Sequence, residues 1–428
     1  PRNILAFCLD LGQTRKSYRR KMLWQKSEKY EVGIWGMKIV IDCRTILNPG
    51  FGEGAGVGHY TYYLVSHLLR LDAENEYVLF FDRRLSEEAI GALIGNRPRT
   101  SYRFFPFHKY REYLPGFYQH LLVAAAFSKE RPDIFHIPGG NIPAAYRGKT
   151  VLTVHDLAMY RHPEWFPSRP IATRFLYPQS LRRASRLIVP SLSVASDLRE
   201  LFRIHEGRVS VVPEGVDAHT PLYDQDIVSP EDVVDRGDLE RKYKIRSPYV
   251  LSLGTLEPRK NLEMFIRAFG DFCDRGQGIK VQLVLAGARG WKYEGIFRAI
   301  GEVNRRHPFV VQYIGYIPHR DKWAFMRHAE CFAYPSLYEG FGLPPLEAMS
   351  CGTPVICSSA SSLPEVVESA GILVAPDQPE EWARAMERVL KNKPLREELA
   401  LQGKTQSQKF AWSRTAELTL EAYHKTRS

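Results

Sequence analysis

Two successive series of short apolar runs, each run followed by an amphipathic stretch, constrain this chain of 428 residues more than any other feature. That alternation is what a parallel sheet covered by helices requires, because such strands are buried on both faces and each crossover lays an apolar stripe on the sheet. The first series opens with Lys38-Ile39-Val40-Ile41-Asp42, and a glycine-rich loop from Gly50 to Gly58 leads into a predicted helix over 59–69. Further strands are expected at 77–81, 134–136, 151–154, 187–190 and 209–212, with Ser191 as N-cap of a helix over 193–201. The second series places strands at 249–253, 281–285, 309–313, 331–334, 354–357 and 372–374, and helices at 262–273, 322–328, 343–349 and 380–390. Between them, residues 214 to 240 turn acidic and are broken by prolines. Each half therefore reads as its own doubly wound sheet, with chemistry expected in a cleft at the carboxyl ends of the strands.

No apolar stretch reaches the roughly 18 residues of a membrane span, and no secretory signal pattern opens the chain, so a cytoplasmic location is expected. The six cysteines form no CxxC pair or zinc-like group, which predicts reduced thiols and no structural metal. A net charge of +11 invites a nucleic-acid reading, but +5 of it sits on residues 1–36, where eight basic side chains meet three acidic ones. That leader has no clear period; it is expected to be disordered or non-native, either with Met37 as the natural start or as a mobile basic tail.

Several motifs fail. The glycine loop has no register giving G-x-G-x-x-G, so a dinucleotide cofactor is unsupported, and neither Gly148-Lys149-Thr150 nor Gly403-Lys404-Thr405 carries the first glycine of a P-loop. Two segments hold. In Ser336-Leu337-Tyr338-Glu339-Gly340-Phe341-Gly342-Leu343-Pro344, glycines expose backbone N–H groups and Pro344 suits a first helical turn, which makes an anion-attracting helix start. Glu339 lies before that turn and Glu347 one turn inside it, two carboxylates able to accept bonds from sugar hydroxyls. In Gly254-Thr255-Leu256-Glu257-Pro258-Arg259-Lys260-Asn261, two adjacent cations at a helix start repel each other unless an anion, such as a diphosphate, sits between them. Val154-His155-Asp156 and Gly139-Gly140-Asn141 end strands at the same face of the first half.

In this order the segments resemble the retaining GT-B glycosyltransferases of the GT4 type, over nearly all of residues 37–428: Glu339 to Glu347 is similar to that family's E-x7-E signature and Gly254 to Asn261 to its donor-phosphate loop. His155-Asp156, Ser191, the Pro213-Glu214-Gly215-Val216-Asp217 junction and the glycine loop also fall where that family would place them. The resemblance implies two Rossmann-like domains, an acceptor side over 37–215 and a nucleotide-sugar side over 241–405. They would be joined by a linker at 216–240 and by a helix over 406–428 that returns to the first domain. It implies catalytic roles for His155, Arg259, Lys260 and Glu339, with Arg259 and Lys260 on the donor diphosphate, Glu339 on the transferred sugar, Glu347 on the ribose and His155 on an outer sugar hydroxyl. Gly56, Gly58, Gly254, Gly340, Phe341, Gly342 and Leu343 would complete the donor site. Glu214 stands where the family more often has Asn, so no role is carried to it. No metal or cofactor is expected. The implied donor is GDP-mannose, since the Glu339 run and His162-Pro163-Glu164-Trp165-Phe166-Pro167 resemble mannosyltransferases; a UDP- or ADP-hexose, or an epimerase of the same fold, is the alternative. Arg97, Arg99, Arg103, Lys109 and Arg111, interleaved with Tyr102, Phe104, Phe105, Phe107 and Tyr110, read either as peripheral contact with anionic lipid beside a lipid-linked glycan or as a solvated strand.

Overall fold

The structure, a computed structural model, describes residues 36–47, 56–105, 118–167, 172–216, 234–275 and 280–428. The leader apart from Gly36, the loop before Gly56 and residues 217–233 of the expected linker lie outside them. Met37–Ser428 forms one unit with two parallel sheets. The first contains β1 (Lys38–Asp42), β2 (Glu76–Phe81), β3 (Thr100–Phe104), β4 (Ile134–Ile137), β5 (Thr150–Thr153), β6 (Arg186–Val189) and β7 (Val209–Val211), in the order β3-β2-β1-β4-β5-β6-β7. The second contains β8 (Tyr249–Leu253), β9 (Gln282–Ala286), β10 (Val311–Gly315), β11 (Cys331–Tyr334), β12 (Val355–Ser358) and β13 (Ile372–Val374), in the order β10-β9-β8-β11-β12-β13.

The period of two expected of strands decides the packing. Ile39 and Ile41 enter one core with Leu64, Leu68 and Phe81, while Val40 enters the other with Phe80, Phe127 and Phe135. Leu283 and Leu285 likewise oppose Val284. In both sheets the chain winds outward in opposite directions from one pair of neighbours, β1 with β4 and β8 with β11. The loops after those strands diverge and leave a crevice, which is where α/β sheets bind ligands.

Some elements differ from expectation. β3 lies in the segment whose pattern left a solvated strand and a lipid contact both open; it pairs in parallel with β2 from Tyr77 opposite Thr100 to Phe81 opposite Phe104. β10 starts at Val311 and not at residue 309, because Phe309 is an exposed turn residue at φ +62°. The Glu294–Arg306 helix was also missed, although its buried Ile296, Ala299 and Val303 recur at helical spacing.

The last helix, Trp412–Arg427, packs on the first half. Trp412 stacks on Tyr63 at 5.0 Å, and Tyr423 Oη lies 2.6 Å from His136 Nδ1. Just before it, Phe410 O accepts from Val216 N at 2.8 Å, so both crossings between the halves run side by side.

Candidate active site

The loops after β8 and β11 carry the charges, and adjacency of those strands brings them together. Gly254 to Asn261 joins β8 to the Leu262–Asp274 helix, and Ser336 to Gly342 joins β11 to the Leu343–Ser350 helix. Lys260 Nζ donates to Glu339 Oε1 and to Tyr334 Oη, each at 2.6 Å. The same carboxylate oxygen accepts from Ser336 Oγ at 2.6 Å and Tyr334 Oη at 3.0 Å. Arg259 Nη1 donates to Glu339 Oε2 at 2.6 Å and to Tyr338 O at 3.0 Å, and its Nη2 meets Glu257 Oε1 at 2.6 Å.

This changes one sequence-based argument. The adjacent cations were expected to need an external anion, whereas Glu339 and Glu257 balance them from within the protein. Burial alone would raise the Glu339 carboxyl, but Arg259, Lys260 and Ser336 bring it down to about 2, so it is ionised at neutral pH. Burial pushes the Lys260 ammonium down, with Glu339 opposing. Arg259 is buried as well, yet Glu339 and Glu257 outweigh that and hold its guanidinium above the usual range. Two of the three Lys260 N–H groups are engaged, which leaves one donor for a further acceptor.

His155 follows β5 on the facing half. Its Nε2 lies 2.7 Å from Pro138 O and its Nδ1 3.2 Å from Glu214 Oε1. Two acceptors on one imidazole favour the doubly protonated ring. Burial lowers its pKa, but the Glu214 bond and charge, then Pro138, raise it overall above 6.5. Glu214, assigned no role from sequence, is thus the partner that favours the protonated His155 ring. Both ring nitrogens are engaged, so a sugar contact by His155 requires one of these bonds to open.

Gly340 closes the centre. A Cβ there would stand 1.8 Å from His155 O, so only glycine lets this loop lie against the facing half. Gly342 adopts φ +126°, a conformation L side chains rarely take, as the chain turns into its helix. Phe341 and Leu343 turn their side chains into the core of the second half, which leaves their backbone as what they offer a ligand. Gly254 lies against the Lys260 side chain. Glu347 is buried and accepts from Lys322 Nζ at 2.6 Å, apart from the Lys260 cluster. Gly56 opens the Gly56–Leu71 helix with nothing against it among the described residues, and Gly58 lies under Thr45 O. Next to it, the His59 ring faces His319 of the second half at 6.0 Å. Asn141 Oδ1, after β4, is buried with no hydrogen-bond partner among the described residues.

A cavity of about 390 Å³ lies elsewhere, lined by Tyr62, Ser66, Arg70, Leu93, Asn96 and Arg97. It runs along the Gly56–Leu71 helix from Tyr62 to Arg70, roughly 9 to 21 Å along the axis from Gly56, and is not lined by the loops after β8 and β11. Arg97 lines it, Arg99 donates to Glu74 O, and Arg103 pairs with Glu130 at 3.3 Å. Phe105 is buried and Phe104 packs on the core, so of the interleaved aromatics described only Tyr102 is exposed; Phe107, Lys109, Tyr110 and Arg111 lie outside the described residues. Among the described residues no group of three or more His, Cys, Asp or Glu is placed to hold a metal ion.

Residues 54–220 match Glycosyltransferase Family 4, and residues 235–406 match Glycosyl transferases group 1. The chain is 30% identical over 299 residues to the O-antigen chain mannosyltransferase B of Escherichia coli, covering 68% of this chain and 74% of that one. The chain belongs to the family 4 glycosyltransferases. As such it is a hexosyltransferase. This transferase is also 29% identical to the D-inositol 3-phosphate glycosyltransferase of Actinosynnema mirum over 67% of each chain. The sucrose-phosphate synthase of Thermosynechococcus elongatus superimposes with a TM-score of 0.64 at 21% identity, over 91% of this chain and 98% of that one. The fold is GT-B, two Rossmann-like halves facing a cleft.

Proposed function

We propose that this glycosyltransferase moves mannose from GDP-mannose, with retention of configuration, to a glycan or lipid-linked acceptor in cell-surface polysaccharide synthesis. The observation that carries the reading is the buried Arg259–Lys260–Glu339 cluster at the β8–β11 divergence. Breaking the bond between the sugar's anomeric carbon and the diphosphate oxygen puts negative charge on the phosphate and positive charge on the sugar. Arg259, Lys260 and the N-terminal amides of the Leu343–Ser350 helix face the first charge and ionised Glu339 the second, so they favour the transition state over the ground state. The acceptor hydroxyl attacks from the face the diphosphate leaves, and its proton passes to the departing phosphate oxygen; the products are the glycosylated acceptor and GDP. Catalysis on these terms needs no metal. His155 and Glu347 complete the donor contacts, on an outer sugar hydroxyl and the ribose.

Mannose is favoured by the mannosyltransferase relative. The D-inositol 3-phosphate relative favours a second reading for the acceptor, a small phosphorylated one, and a UDP- or ADP-linked hexose is the alternative donor. Work at the cytoplasmic face of the plasma membrane follows from a lipid-linked acceptor; among the described residues no helix is long and apolar enough to cross a membrane. Screening radiolabelled GDP-mannose, UDP-glucose and UDP-N-acetylglucosamine against host lipid extract tests this. Label transferred from GDP-mannose alone is expected, and transfer from a UDP-sugar in its place would overturn the donor assignment.

A further inference from the structure

Five hydrogen bonds reach across the cleft beside the charged cluster, and two side chains of the second half make four of them, one being Tyr338 Oη accepting from Leu157 N at 3.3 Å. Tyr338 Oη donates to Asp197 Oδ2 at 2.6 Å, and both residues are buried. Glu365, at the start of the Leu363–Val367 helix, accepts from Leu192 N and Ser193 N with its two oxygens, each at 2.8 Å. These are the first two amides of the 11-residue Leu192–Phe202 helix, which have no intrahelical partner. The third amide, Val194 N, is capped from within the first half by Ser191 Oγ at 3.2 Å, and the same hydroxyl donates to Gly340 O at 2.7 Å. A carboxylate on two helix N-terminal amides is a charge-assisted arrangement that favours the dipole as well.

We propose that Tyr338 and Glu365 are positioning residues which latch the two halves, so that Glu339, between Tyr338 and Gly340 in sequence, is presented correctly only when the cleft is closed. Tyr338 also supplies the carbonyl that Arg259 holds, so one residue ties the charged cluster to Asp197 of the facing half. Opening the cleft would leave Asp197 without its hydroxyl donor and hand Glu365 and the two amides to water. The inference rests on the reading of Glu339 as the sugar contact.

Tyr338→Phe and Glu365→Gln preserve shape while removing a hydroxyl and a charge. With GDP-mannose, and UDP-glucose in parallel, each is expected to lower transfer turnover on the order of 10-fold, the effect of one or two lost charge-assisted bonds, with a smaller change in GDP affinity. Each should also raise the share of donor lost to hydrolysis, because a cleft that closes poorly admits water. Faster amide exchange at Leu192 and Ser193 in Glu365→Gln, without a matching fall in melting temperature, separates a latch from general unfolding. Unchanged turnover, partitioning and exchange in both variants would overturn the latch while leaving the cluster reading intact. Normal transfer by Lys260→Ala, run alongside, would overturn the cluster reading itself, and the positioning role with it.

Discussion

Lys260 and Arg259 show how much a residue's meaning depends on its partners. Each is a cation in a short basic turn, yet both are buried against the same carboxylate. Lys260→Ala is expected to lower turnover by on the order of 10²–10³, the effect of removing one preorganised donor, with a smaller loss of GDP affinity. Arg259→Lys should also be damaging, since an ammonium cannot serve Glu257, Glu339 and Tyr338 O together as the guanidinium fork does. Measuring GDP affinity and transfer at matched folded fraction checks both; near-normal transfer by Lys260→Ala would contradict the mechanism. At His155 the pKa is raised by Glu214, so its pairing stabilises the fold fully below about pH 6.5 and fades as pH rises through the folded value. The melting-temperature advantage of the wild type over Glu214→Gln should therefore shrink from pH 6 to pH 8. An advantage that grows with pH would reverse that sign.

Among the elements, the loop from Ser336 to Gly342 links the sheet to the facing half. Its composition made it readable as an anion-attracting turn, but what it touches was not readable: Tyr338 meets Asp197 across 141 residues, and Gly340 meets Ser191 across 149. Gly340→Ala would drive a Cβ into the backbone carbonyl of His155, which cannot rotate away. The halves must then part or the loop must shift, and a displacement near 1 Å at a reacting centre costs on the order of 10²-fold in turnover. Transfer assays paired with small-angle scattering should find slower turnover and a more open particle; normal activity would show the contact to be dispensable. The strands illustrate the same limit. Central β1, β4, β8 and β11 are mostly apolar because both faces are covered, and they were legible. Edge strand β3, Thr-Ser-Tyr-Arg-Phe, is half solvated, so its pattern left a strand as one of two readings and its pairing with β2 establishes it.

At the scale of the whole molecule, the chain crosses between halves twice, near Val216 and near Phe410, and the last helix fastens the return. Trp412 is buried at 2% exposure between Tyr60 and Tyr63. Trp412→Ala is expected to cost roughly 3–5 kcal/mol, as large aromatic truncations in cores do, and to speed amide exchange in the Gly56–Leu71 helix. An unchanged melting temperature and exchange pattern would show that the helix does not fasten the first half. Local sequence sufficed for what depends on local physics: alternating burial named two parallel sheets, and glycines, a proline and charges at strand ends marked the loops after β8 and β11. Tertiary structure alone decided which strands lie side by side, hence that Arg259 and Lys260 close on Glu339, that Glu214 pairs with His155, and that Phe341 faces the core. These contacts join residues far apart in the chain, and sheet order, set by the packing of whole elements, determines which of them can meet.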